Sequence, residues 1–126
     1  MLASQHAAYD TAIRYYDQSI EYKVNYTNAH YNKGIALLNS GRYQAASEEF
    51  ENAIRYGGQR PPFYKLLGAS LLNLNRLPEA IKYLTFAAQN SNDPETYEFL
   101  AQAYQMQGNE DAARQMMEKA RQLRGG

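Results

Sequence analysis

Cysteine and tryptophan are absent from the 126 residues, proline occurs four times, and 13 basic side chains cancel 13 acidic ones. Without cysteine there is no disulfide, no thiolate zinc site and no cysteine nucleophile. The compartment stays open, because such a chain tolerates reducing and oxidising surroundings alike. A nucleic-acid binder carries a basic stripe and a high pI, whereas the pI here is about 6.7. Acids and bases also balance within residues 1–60 and within 61–126. Nucleic acid is therefore not an expected partner. The one local excess, Arg114, Lys119, Arg121 and Arg124 against Glu118, suits a helix C-terminus favoured by the macrodipole. No apolar run approaches the ~18 residues that span a bilayer. The start, Met1 to His6, lacks the basic and apolar regions of a signal peptide. That favours a cytoplasmic protein, with a periplasmic one possible if the chain is a fragment.

Apolar residues make up 44% of the chain, too many for a disordered segment, and the length suits one domain spanning 1–126. The first positive signal is repetition. Ala46 to Ala53 aligns with Ala80 to Ala87 at an offset of 34, and the latter with Ala113 to Ala120 at 33. A step of 34 backwards reaches Ala12 to Ser19. Each block has a small residue, a bulky apolar one four later and a small one at seven, all on one helical face. Gly34, Gly68 and Ala101 precede the blocks by 12 positions within further helical patterns, and Gly41, Asn75 and Gly108 share the turn position between the two. Such a position favours a left-handed backbone. Pro61-Pro62 and Pro94 open helices, as proline in a first turn allows. Asp93 is the expected N-cap before Pro94, and Thr27 that of the helix at 27. Helices are predicted at 9–23, 27–40, 43–56, 61–74, 77–90, 94–107 and 110–123.

A 34-residue period of two helices with this small–bulky–small signature resembles the tetratricopeptide repeat family. Residues 61–93 carry its pattern through Tyr64, Leu67, Gly68, Leu71, Ala80, Leu84 and Ala87. Residues 27–60 and 94–126 follow it through Gly34, Phe50 and Ala53, and through Ala101, Ala113 and Ala120. His30, Lys33, Val24 and Gly58 depart from it. The resemblance implies an all-α, right-handed α-solenoid of antiparallel pairs, with about seven helices and residues 1–26 as an N-terminal half-repeat. Small residues at the crossing let two helices approach closely, and stacked pairs share one core. Tyr16, Phe50, Leu84, Met117, Leu37, Leu71 and Tyr104 are the expected core.

Enzyme chemistry finds no foothold. His6 and His30 make no metal spacing, Gly57-Gly58 is no phosphate loop, Ser47, Ser70 and Ser91 lack a nucleophile-elbow context, and Glu48, Glu49 and Glu51 suit a solvated face. No cofactor, metal or catalytic residue is expected. Most of the 12 tyrosines fit repeat packing, with a minority available to an interface. The resemblance implies a groove built by the first helix of each pair. It comprises Asn28, Tyr31, Ile35, Leu38 and Asn39, then Pro62, Lys65, Ala69, Leu72 and Asn73, then Glu95, Glu98, Gln102, Gln105 and Met106. Ile35, Leu38 and Leu72 would otherwise be exposed without purpose. The favoured function is thus a non-catalytic module that binds a partner peptide or helix as scaffold or adaptor. The alternatives are a small chaperone of a secretion or pilus system and a regulatory or targeting domain of a larger enzyme. The clamp by which related co-chaperones hold a C-terminal carboxylate is not met, since only Lys65 matches and Glu95, Ala69 and Phe99 stand at other clamp positions. The half-repeat lacks a partner helix, and Met116 and Leu123 are expected to be partly exposed at the other end, so self-association through one end is a further expectation.

Overall fold

A computed structural model describes residues 8–14, 16–17 and 26–125. The expectations for residues 1–7, Tyr15, Ile20, Tyr22 and Val24 lie outside the described residues. A helical segment at 8–14 and 16–17 is followed by six helices: α1 (Tyr26–Asn39), α2 (Tyr43–Gly57), α3 (Pro61–Asn73), α4 (Leu77–Gln89), α5 (Pro94–Met106) and α6 (Glu110–Leu123). They pack as the pairs α1/α2, α3/α4 and α5/α6, and each pair stacks on the next.

The local reasons match the sequence. The turn residues Gly41, Asn75 and Gly108 have φ of 80°, 60° and 84°, a region that costs an ordinary side chain energy. Asn75 is the one residue with a Cβ among them, and asparagine tolerates it best. Prolines stand in the first turns of α3, α4 and α5. Thr27 is not a cap. The helix already includes Tyr26, and Thr27 packs against Gly57, where an added Cβ would strike its methyl group.

Within pairs, the small residue and the bulky one meet as the pattern requires. A Cβ on Gly34 would lie 2.6 Å from the Phe50 ring, and one on Gly68 would lie 2.5 Å from Leu84 Cγ. Phe50 and Leu84 are fully buried, with Leu37, Leu67, Leu71 and Leu100 in the same cluster. Tyr104 only packs at its edge, partly buried, and Tyr16 is likewise partly buried. Met117 is a correction to the expected core. It is 52% exposed, and among the described residues no further pair packs on α6.

Polar contacts hold successive elements in register. Asp93 caps α5 by accepting from the Glu95 N–H at 3.1 Å and the Thr96 hydroxyl at 3.3 Å, and it also accepts from Lys65 Nζ of α3 at 2.8 Å. Burial alone would raise the Asp93 pKa, but the Lys65 hydrogen bond and the Glu95 amide hold it below the usual carboxylate range. The sign follows. A depressed folded-state pKa adds stability above the ordinary value of about 3.9, and that stability is lost as pH falls below it. Asp93→Ala is expected to cost about 1–2 kcal/mol at neutral pH. Urea titrations should show that difference from the parent chain shrinking below about pH 4, and an unchanged midpoint at neutral pH would remove Asp93 from the account.

Candidate functional site: the faces of the first helices

The first helices touch one another across the stack, α1 with α3 and α3 with α5, while α2 and α4 share no such contact. The first helices therefore lie on the inner, concave side. The residues expected to line it sort into rows by their position in the repeat.

Two outer rows stay in the open. Asn28, Pro62 and Glu95 at the helix starts are exposed, and so are Asn39, Asn73 and Met106 at the helix ends. The Asn73 amide donates to the Ala69 carbonyl at 2.9 Å, which leaves its side-chain oxygen as an acceptor.

The inner rows are largely used up by stacking. Tyr31 is half-buried, with its ring 5.1 Å from Phe63 of α3 and 6.1 Å from Phe50. Lys65 pairs with Asp93 and Glu95 at the start of α5, each at 2.8 Å. Burial works against its charge, yet the two carboxylates hold its pKa above the ordinary lysine value. Ala69 and Leu72 are only 2% exposed, so neither offers surface to a partner. Ile35 and Leu38 are half-buried against the core. The premise that these leucines and isoleucines lack cover therefore fails for Leu72 and half-fails for Ile35 and Leu38. The next repeat supplies the cover. In the last repeat the same rows, Glu98, Gln102 and Gln105, border a groove of about 850 Å³ shared with α6.

Two features escaped sequence reasoning. His30 is 7% exposed, with Nδ1 2.5 Å from Glu49 Oε2 and its ring stacked parallel on Tyr56 at 5.4 Å. Lys33 adds contacts to Glu49 at 3.4 Å and to Asp17 of the first helical segment. Burial disfavours the Lys33 charge, but these carboxylates raise its pKa overall. Glu49 is thus a partly buried tie between α1 and α2, not part of a solvated face. The 19-residue separation hid it, although an acid and a histidine on facing helices of one pair were available as a clue. The terminal basic residues also find partners, Arg114 with Asp111, Arg121 with Glu118, and Arg124 with Glu98 across the groove at 2.7 Å. Among the described residues no three histidine or carboxylate side chains gather as a metal site. No described helix is long and apolar enough to cross a membrane.

The sequence profile of the tetratricopeptide repeat matches residues 2–62, 31–94 and 65–126. The chain belongs to the tetratricopeptide repeat family. It is an all-α helical-repeat solenoid, an architecture used as a protein-interaction scaffold. Among solved structures, a segment called MamA 41-end from Desulfovibrio magneticus RS-1 superposes with a TM-score of 0.87 at 20% identity, covering 96% of this chain and 69% of that one. Another MamA crystal structure gives 0.85 at 23% identity, covering 94% and 70%. A third gives 0.85 at 22%, covering 95% and 66%. At these identities the likeness speaks for the fold. No curated protein matches the chain in sequence.

Proposed function

We propose that this chain is a non-catalytic interaction module that takes an extended or helical segment of a partner protein along the outer rows of its concave face. The observation that carries the reading is the exposure of Asn39, Asn73 and Met106 at one repeat position, on the side where the first helices converge. Two amides and a thioether at that spacing suit a peptide. The amides can pair with its backbone, and methionine adapts to apolar side chains. The half-buried Ile35 and Leu38 add apolar surface beside them.

Peptide selection on the immobilised chain tests this. Selected peptides are expected to lose about tenfold or more of their affinity for an Asn39→Arg/Asn73→Arg variant. Both residues are exposed, so the fold should survive the change. Peptides that bind parent and variant equally would show that the concave rows are not the site.

A further inference from the structure

The three helix pairs share one register, yet the first departs from the others in chemistry at three positions. His30, Lys33 and Glu49 stand where the second pair has Tyr64, Leu67 and Tyr83 and the third has Tyr97, Leu100 and Met116. In the later pairs these positions are apolar packing. Leu67 and Leu100 are at most 2% exposed, the Tyr64 and Tyr83 rings lie 5.7 Å apart, and Tyr97 and Met116 pack against the core. In the first pair the same crossing is polar. His30 Nδ1 lies 2.5 Å from a Glu49 carboxylate oxygen, and Lys33 pairs with Glu49 on one side and with Asp17 on the other.

That polar patch lies where the first helical segment meets the stack. Among the described residues two ion pairs tie the segment down, Asp17 to Lys33 of α1 and Asp10 to Arg42 at the start of α2, the latter at 2.5 Å. Asp10 and Asp17 are seven residues apart, so both carboxylates leave one face of the helix. Ile13 between them packs at the edge of the core. Tyr16 is only partly buried, whereas Phe50 and Leu84 at its repeat position are fully buried. We propose that the first helical segment is a strap latched by charge onto the first pair, able to release while the three pairs stay packed. Ion pairs at such partly exposed sites hold weakly, and salt screens them. The later joints rest on apolar burial, which salt does not screen. Release takes one of its two carboxylates from Lys33 and the carboxylate from Arg42, so two cations turn to solvent on the first pair.

Amide hydrogen exchange of the 126-residue chain tests the latch, read by mass spectrometry in sodium chloride at about 0.1 M and about 1 M. Between these the screening length falls from about 10 Å to about 3 Å. Exchange in the first helical segment, taken relative to α3, is expected to rise about threefold or more with salt, with α1 to α6 unchanged. The carboxamide variant Asp10→Asn/Asp17→Asn should show that rise already at the lower salt and respond little to more. Both side chains are partly exposed, and unchanged protection in α1 to α6 establishes that the variant is folded. A segment indifferent to salt and to the carboxamides, or one already unprotected at the lower salt, overturns the proposal. So does an equal salt-driven rise in the variant, since the two carboxylates would then not be the latch. A rise shared by α1 and α2 also overturns it, because the first pair would be opening as a whole.

Discussion

Gly68→Val is expected to cost about 3 kcal/mol or more, at the upper end of overpacking effects. The first carbon added would already lie 2.5 Å from Leu84 Cγ, 2.8 Å from its Cδ2 and 3.3 Å from the Ala80 carbonyl oxygen. None of these can yield cheaply. Leu84 is fully buried among α3, α4 and α5, and Ala80 belongs to the backbone of α4. A valine adds two further methyl groups with a stiff χ1, so the pair must splay. Replacing a helical glycine normally gains about 0.5–1 kcal/mol, which makes a large net loss diagnostic of the contact. The double variant Gly68→Ala/Leu84→Ala adds a second reading. Shortening Leu84 alone costs about 2–5 kcal/mol, yet it opens the space that the new Cβ needs, so the pair should cost less than the sum of the singles. Urea midpoints of the parent chain, Gly68→Val, the two alanine singles and the double variant decide it. Additive losses, or a Gly68→Val midpoint equal to that of the parent chain, would contradict this crossing.

Leu72→Glu is expected to cost about 3–5 kcal/mol, the range for an uncompensated buried charge. That is a large share of the ~5–15 kcal/mol that holds an ordinary domain together, so the variant should melt far below the parent or fail to fold. Leu72 is 2% exposed and belongs to the central cluster with Leu71, Leu84 and Leu100. Lys65, on the same helix, is already bound to Asp93 and Glu95. Leu72→Met keeps the volume and should be nearly silent. Leu38→Glu, at the half-buried counterpart one repeat earlier, should cost less. Thermal melts of the three variants check the order. A Leu72→Glu melt like that of the parent chain would place Leu72 on an open surface after all.

Those two sites also mark where the sequence was sufficient and where it was not. Gly68 could be placed because its partner is set within one helix pair. The small residue, the bulky one 16 positions later and the turn at Asn75 are all local, and the predicted helix ends agree with those of α1 to α6 to within one residue. Leu72 could not be placed the same way. Its own helix predicts an inward-facing apolar residue, but whether water reaches it depends on how far α5 swings over α3. That offset is set by contacts such as Lys65 on Asp93, between residues 28 apart in the chain. Met117 failed for the opposite reason. It occupies a core position by repeat register, yet no described helix packs over it and it is half exposed. The His30–Glu49 tie joins residues from two patterns that were each read alone, and nothing in either helix's periodicity demands it.

Amide shift mapping on the labelled chain, titrated with a selected peptide, tests the concave reading most directly. The largest shifts are expected at the ends of α1, α3 and α5, around Asn39, Asn73 and Met106, with the starts at Asn28 and Glu95 affected next and the outer faces of α2 and α4 unmoved. Shifts confined to α2 and α4, or to the Met117 face of α6, would contradict it.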